Sequence, residues 1–350
     1  MPGSHGERYP YAMRICLYLE AAHLLARSGI YRAYTNHLRA LAGTGIEVTP
    51  DPRGDYDLLH LHWFGPKSLR YMRRAKRRGI PVVIHAHSIG RYDFAGGFTG
   101  TRLLAPLYER ILDRIYARAD AIFAPSEFAA AMLARRGLGP VYVVSNGADL
   151  SRFRPDEERR KRWREMLGLT GFTVYSAGNV LPRKGVLDFI AVAERLPGLR
   201  FIWFGQRWGP LALYPRMEWR IRRAPGNVRF AGFVDDPAGA YDACDLFFFP
   251  THGENQPLAL LEAAALGKPL VVRDVPAFAH LEPGVHCLKG NSVEEFCRAI
   301  RAVAEDPALR GRLSRNAMAF AAEHDLRRVG ARLAALYRRV LAGRRGGCPG

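Results

Sequence analysis

The chain alternates strand and helix, then starts the same alternation again, and this repeat constrains its fold more than any other feature. Short apolar runs recur between longer segments with helical spacing. "MRICLYL" reads as a first strand and the segment from about Gly29 to Ala42 as a helix. "DLLHLHWF" and "PVVIHAH" are strands on either side of a basic helix at 67–78. "TRLLAPLYERILDRIYARA" reads as an amphipathic helix, "AIFAPS" as a strand, "FAAAMLARRG" as a helix and "VYVVSNGADLSRFRP" as a strand running into a loop. After a charged helix at 156–167 the alternation restarts, with "FTVYSAGNV", "RFIWFG", "NVRFAGFV", "LFFFPT", "PLVVRDV" and "CLKG" as strands. Two such series imply an α/β chain of two doubly wound, Rossmann-like domains, each a parallel sheet with helices on both faces. Ligands of such sheets sit beyond the carboxyl ends of the strands. A cleft that the two domains face is therefore where a site is expected.

At 350 residues the chain is too long for one small core. We expect a flexible lead-in at 1–12, an N-terminal domain at 13–165 and a C-terminal domain at 166–325. A helix at 326–342 should cross back to the N-terminal domain, followed by a disordered tail at 343–350. Cys16, Cys244, Cys287, Cys297 and Cys348 form no CxxC pair and are odd in number. That argues against a disulfide framework or a cysteine zinc site and fits a reducing cytosol. No run of about 18 apolar residues offers a membrane span, and "MPGSHGERYPYA" lacks the apolar stretch of a signal peptide. The net charge of +19 narrows the partners to nucleic acid, anionic lipid or a phosphorylated ligand. The charge clusters in "KSLRYMRRAKRR" (67–78) and "RRKRWR" (159–164), either of which also reads as a solvated helix face.

The chemistry is concentrated in "THGENQPLALLEAAALGKPLVV" (251–272), where Glu254 and Glu262 flank an almost wholly apolar run. Carboxylates are rarely left in such runs without a partner. Pro257 suits a first helical position, so Glu254 falls before the helix and Glu262 about 8 Å along it. The helical neighbours of Glu262 are Leu258, Ala259, Ala265 and Leu266, all apolar. Glu262 should therefore reach past a packed face to a partner, either a protein group or a ligand. The free N–H groups after Pro257 form an anion site at the helix start, and an anion beside a hydroxyl-bearing group describes a nucleotide. "LPRKG" places Arg183 and Lys184 in the loop after a strand, where a cationic pair suits a departing diphosphate.

"ENQPLALLE" resembles the Glu-x7-Glu signature of retaining glycosyltransferases of the two-domain GT-B type, family 4. The resemblance extends to "SEFAAAMLARRG", "VYVVSNGADLSRFRP" and "GNVLPRKGVLDFIAVAERLP", and so to most of residues 13–340. "FIWFG", "DLFFFPT" and "VVRDVPAF" are similar to the branch that adds sugars to diacylglycerol lipids, the α-glucosyl- and galactosyl-diacylglycerol synthases. The resemblance implies that Glu254 contacts the donor sugar and that Glu262 holds the ribose hydroxyls. It implies that Gln256, Pro257 and Leu258 border the pyrophosphate and that Lys184 stabilises the leaving diphosphate. Asn179 follows Gly178 where the family often has an arginine. Either Arg183 compensates or the donor phosphate is held differently. Gly29, at a loop-to-helix junction, resembles the family's glycine loop, and His87 matches its first-domain histidine facing the reacting sugar.

The implied reaction moves glucose or galactose from a UDP-sugar to a membrane lipid such as diacylglycerol or glycosyl-diacylglycerol, with retention. A soluble or polysaccharide acceptor is the alternative. No tightly bound cofactor is implied, and stimulation by Mg2+ is left open. His60 and His62 form one His-x-His pair, and His85 and His87 another, each at a strand end with both members on one face. No carboxylate or cysteine cluster adjoins either pair, so no metal site is expected. "DYD" (55–57) leads into a buried strand and reads as turn chemistry. Phe94 and Phe98, in the glycine-rich stretch 89–104, look exposed and able to dip into a lipid interface. The basic helix 67–78 carries Leu69, Met72 and Ala75 on a narrow stripe and is the expected contact with an anionic membrane. The expected location is cytoplasmic, peripherally bound to the inner face of the cell membrane. A nicotinamide enzyme would need GxGxxG after a strand, which the chain lacks. No nucleic-acid reading motif is present, so nucleic acid is not an expected partner.

Overall fold

The structure is a computed structural model and describes residues 13–95, 101–207 and 214–345. Phe98, the expected lead-in at 1–12 and the end of the expected tail at 346–350 lie outside those residues. The chain runs β1 (Arg14–Tyr18), α1 (Ala22–Leu25), α2 (Gly29–Leu41), β2 (Glu47–Thr49), β3 (Leu58–Leu61), α3 (Pro66–Arg77) and β4 (Val82–His85). It continues through α4 (Arg91–Phe94), α5 (Thr101–Tyr116), β5 (Ala121–Ala124), α6 (Glu127–Ala134), β6 (Val141–Val143) and α7 (Glu157–Leu167). There follow β7 (Thr173–Ala177), α8 (Val186–Arg195), β8 (Arg200–Phe204), α9 (Pro215–Arg222), β9 (Val228–Gly232), α10 (Pro237–Asp242) and β10 (Leu246–Phe249). The series closes with α11 (Leu258–Ala265), β11 (Leu270–Arg273), β12 (Leu288–Gly290), α12 (Val293–Glu305), α13 (Pro307–Ala322) and α14 (Leu326–Arg345).

The strands form two all-parallel sheets, in the orders β2-β1-β3-β4-β5-β6 and β12-β11-β10-β7-β8-β9. Burial on both faces explains the continuous apolar strands: every residue of "LLHL", "VVIH", "AIFA" and "LFFF" is buried. The chain divides into two compact units, one of residues 1–87, 114–146 and 326–350, the other of 88–113 and 147–325. The first is centred on Ile15, Leu17, Leu58, Val83 and Phe123, with Val329, Leu333 and Tyr337 of α14 packed against them. Gly330 lets α14 approach α2 closely, because a Cβ there would overlap the Ala40 carbonyl. The second unit is centred on Phe189, Phe201, Trp203, Phe248 and Phe296.

Several sequence expectations change. β2 is an edge strand with no apolar run, Glu47 exposed and Val48 and Thr49 half-buried, so it carries no mark in the sequence. The basic helix is present as α3, its stripe packed inward at Met72 and Ala75 and its charges facing solvent. Phe94 is not an exposed ring, since it stacks on Tyr108 with centroids 4.0 Å apart. "RRKRWR" is not a solvated face either. Arg159 pairs with Asp242 at 3.1 Å, Arg160 with Asp245, and Arg164 donates to the Ala243 carbonyl at 2.8 Å. These contacts fasten α7 to the segment ahead of β10. Residues 343–345, expected in the tail, continue α14. The acids of "DYD" have structural partners, Arg78 for Asp55 at 2.7 Å and the Arg14 N–H for Asp57 at 2.8 Å.

Candidate active site

The second sheet sends two loops to one place beyond its strand ends. After β7 the chain passes Gly178 and Asn179 and makes a single turn of 3-10 helix at Pro182–Lys184. Gly185 ends that turn with φ +77°, and a Cβ on it would overlap the Pro250 carbonyl. Only glycine combines this left-handed backbone with so close an approach. The loop after β10 is thereby held against the first, with His252 N–H donating to the Arg183 carbonyl at 2.8 Å. Beneath it, Arg273 donates to the Pro250 carbonyl at 3.0 Å and to Asp188 at 2.7 Å.

This clamp brings Arg183, Lys184 and Glu254 together. Lys184 Nζ donates to Glu254 Oε1, which also accepts from Thr251 Oγ1 at 3.0 Å. Arg183 Nη1 stands 3.8 Å from the same oxygen and donates to the Gly253 carbonyl. Glu254 is 7% exposed, yet it stays ionised. Burial pushes its carboxyl up, but the charges of Lys184 and Arg183 and the hydrogen bonds outweigh burial and leave it below the usual range. Burial is the main influence on Lys184 and lowers its ammonium from the ordinary value, with Arg183 adding to it and Glu254 opposing. The ammonium also sits 5.4 Å from the centre of the Phe249 ring.

α11 begins at Leu258, with Pro257 outside it as the extended cap residue, one position earlier than a first helical residue. The first turn therefore starts two residues after Gln256, and Glu254 lies four residues before Leu258. Glu262 is 3% exposed, on a helix whose Leu258, Leu261, Ala263, Ala265 and Leu266 are all buried. Asn179 is half-buried at the end of β7.

Two residues that sequence reasoning passed over join this region. Asn255 Nδ2 donates to Asp93 Oδ2 at 3.4 Å, and the Tyr92 ring packs on Gly253. Burial raises Asp93 to about 6, against an opposing pull from Arg183. The signal in the sequence is an acid inside the otherwise uncharged stretch "DFAGGFTGT".

Gly29 and His87 belong to the other unit. Gly29 is the first residue of α2, whose cap Ser28 accepts from Tyr31 N–H at 3.2 Å, and a Cβ at Gly29 would meet open space. His87 follows β4, with Nε2 3.1 Å from Nδ1 of His62. Burial first, and His37 second, lower its imidazole to about 3, so it is neutral.

Two parallel doubly wound sheets, with a buried acid and a cationic pair in the strand-end loops of the second, are the architecture of the two-domain GT-B fold. Residues 27–152 match the family described as Glycosyltransferase Family 4, and residues 171–306 that described as Glycosyl transferases group 1. The chain is 31% identical to the processive diacylglycerol alpha-glucosyltransferase of Acholeplasma laidlawii, over 94% of this chain and 99% of that one. It is 27% identical to the alpha-galactosylglucosyldiacylglycerol synthase of Streptococcus pneumoniae, over 81% of this chain and 77% of that one. Among solved structures it resembles Anabaena HepE in complex with UDP and glucose, with a TM-score of 0.73 at 21% identity over 94% of this chain and all of that one. Sucrose-phosphate synthase from Thermosynechococcus elongatus gives a TM-score of 0.79 at 18% identity, over 95% of this chain and all of that one. The chain belongs to glycosyltransferase family 4, in the branch of the glycolipid synthases.

Proposed function

We propose that this glycosyltransferase moves a hexose, glucose or galactose, from a UDP-sugar to a hydroxyl of a membrane lipid, with retention at the anomeric carbon. One observation carries the reading. Arg183 and Lys184 meet Glu254 directly ahead of α11, in a chain similar along nearly its whole length to a diacylglycerol glucosyltransferase. We assign the donor to residues 147–325 of the second unit, and the lipid to the unit that begins the chain together with α5, whose residues up to 113 count with the second unit.

The first N–H groups of α11, those of Leu258 and Ala259, have no carbonyl partner within the helix. Together with Gln256 they would border the diphosphate, while Pro257 brings no N–H and shapes the turn. Glu262 would take the ribose hydroxyls and Glu254 the sugar. Asn179 and Gly29 would leave room for the phosphates, and His87 would face the hexose. The acceptor oxygen bonds to C1 on the side from which the nucleotide leaves. The C1–O bond breaks with its electron pair passing to the β-phosphate, which takes the acceptor's proton. Lys184 and Arg183 neutralise the charge that grows on that phosphate.

Two surfaces support a lipid acceptor. α3 exposes Lys67, Arg70, Arg73 and Arg77, each contributing about 1 kcal/mol near an anionic leaflet. α5 exposes an apolar stripe of Leu103, Leu104, Leu107 and Ile111, with Leu103 at 88%. No helix among the described residues is long and apolar enough to cross a membrane, so the reading is peripheral attachment at the cytoplasmic face. The deciding experiment offers UDP-glucose and UDP-galactose with diacylglycerol in anionic vesicles and reads products by mass spectrometry. A hexosyl-diacylglycerol is expected, with turnover reduced at least about tenfold by Leu103→Glu with Leu107→Glu. Turnover of a soluble acceptor without vesicles, and none of the lipid, would overturn the reading.

A further inference from the structure

A second cluster lies in the interior of the first unit. His37 from α2, His60 and His62 at the end of β3, and His85 at the end of β4 are all buried. The rings of His37, His62 and His85 pack with centroids 4.8 to 5.0 Å apart. Each ring has one nitrogen engaged by the chain. His37 Nε2 is 2.9 Å from the Ser145 carbonyl, His85 Nε2 is 3.2 Å from Asn146 Oδ1, and His62 Nδ1 is 3.1 Å from His87. The opposite nitrogens, Nδ1 of His37, Nε2 of His62 and Nδ1 of His85, are buried and make no hydrogen bond among the described residues. One ligand-capable nitrogen from each of the three rings lies within 4.8 Å of the other two.

Whatever the tautomers, such an arrangement is costly for the chain alone. A buried ring nitrogen without a partner loses its hydration, at about 1–3 kcal/mol per group. The Ser145 carbonyl can only accept, so it fixes the proton of His37 on Nε2 and leaves a bare lone pair on Nδ1. The contact of His85 with the Asn146 oxygen does the same for His85. His62 offers a third lone pair, on Nε2, when Nδ1 donates to His87, and a cation held by the three rings would satisfy all of them. The geometry points to a metal site: we propose that Nδ1 of His37, Nε2 of His62 and Nδ1 of His85 bind one zinc ion.

The chemistry of the donors selects the ion. Three neutral imidazoles and no carboxylate suit zinc and not the oxygen-seeking Mg2+. The outer contacts of His37 and His85, a carbonyl and an amide oxygen on the far side of the ring, are those that orient metal-bound histidines, while His62 is held by His87. Zinc–nitrogen bonds of about 2.0–2.1 Å place ligand nitrogens roughly 3.3 Å apart, so binding would draw the three nitrogens together from a spacing of up to 4.8 Å and turn the parallel rings of His62 and His85. Three ligands leave a fourth tetrahedral position for water or hydroxide, and hydroxide would offset part of the buried charge. His60, bonded through Nδ1 to the Tyr337 hydroxyl at 2.7 Å, stays outside the set. The ion would tie α2 to the ends of β3 and β4.

The test measures metal and not turnover. The full chain is stripped with chelator, reloaded with zinc, freed of excess metal and assayed by mass spectrometry for zinc per chain. About one equivalent is expected, with a higher thermal midpoint in the loaded form. Cobalt(II) in place of zinc should give the intense visible bands of a tetrahedral nitrogen site. His37→Gln and His85→Gln should each lower zinc affinity at least about tenfold, and Asn146→Ala, which frees one ring, by about 10–100-fold. Circular dichroism establishes that each variant is folded. Should a variant fail to fold, the cobalt spectrum of the unaltered chain decides. Zinc retained equally by all folded variants would place the ion elsewhere, among the other histidines and cysteines. No retention by the unaltered chain, or an octahedral cobalt spectrum, would make the cluster a set of neutral core histidines.

Discussion

The ammonium of Lys184 and the carboxylate of Glu254, from loops after different strands of one sheet, form a buried ion pair steadied by Thr251 at 3.0 Å. A diphosphate arriving beside them would meet a positive charge already in place and desolvated, so little rearrangement is needed when charge develops. Lys184→Ala should lower turnover by about 100-fold or more. It also strands Glu254. Breaking a buried pair costs about 3–5 kcal/mol, and with Arg183 still 3.8 Å away roughly 1–3 kcal/mol is expected. Denaturant melts and steady-state rates measure the two effects separately. Lys184→Ala with Glu254→Gln should recover much of the stability and none of the rate. A single variant with normal turnover would remove Lys184 from the chemistry.

Glu262 makes a separate prediction, because it lies on the helix behind the loop and not in the cationic cluster. A charged hydrogen bond to a ligand hydroxyl contributes about 1.5–3 kcal/mol. Glu262→Ala should therefore weaken UDP binding by at least about tenfold in calorimetry. Alanine is a strong helix former, but Glu262 also has a polar partner within the chain, so the thermal midpoint is measured beside the affinity, and Glu262→Gln, which keeps the side chain's shape, should lose UDP affinity with a smaller change in that midpoint. Equal UDP affinities would remove the assigned ribose contact.

Buried parallel strands declare themselves, and the sheets were legible for that reason. "LFFF" and "VVIH" have no solvent face, so their residues are apolar in succession. The edge strand Glu47–Thr49 has no such need and left no mark. Proximity of Arg183, Lys184 and Glu254 was legible only through resemblance, because 70 residues separate Lys184 from Glu254. Periodicity put Leu69, Met72 and Ala75 on one stripe of α3 without saying what that stripe meets: Met72 and Ala75 cover the chain's own sheet. The same limit applies to the histidines. Two His-x-His pairs stand out in the sequence, while His37 reaches them only because α2 packs over the ends of β3 and β4. Asp93 was missed because its partners Asn255 and Arg183 are supplied by distant loops.

Asp93 yields a prediction in pH. Its Oδ1 accepts from Ile89 N–H at 3.0 Å and Ser88 Oγ at 3.2 Å, and its Oδ2 from Asn255. Burial is the main cause that raises its carboxyl to about 6, while Arg183, the strongest opposing influence, pulls it down. In the unfolded chain the group titrates near the usual value of about 3.9. Between roughly pH 4 and 6 the native state thus holds more of this proton than the unfolded state, so this residue's contribution to stability falls as pH rises through that window. Above about pH 6 both states are ionised at this residue and its contribution is constant. Asp93→Asn keeps the shape and an acceptor for Ile89 and Ser88 but has no proton to lose. The thermal midpoint of Asp93→Asn minus that of the unaltered chain should grow from pH 4 to pH 6 and level off by pH 7. A difference independent of pH would show that Asp93 titrates at the ordinary carboxylate value, with Arg183 cancelling the burial that raises it.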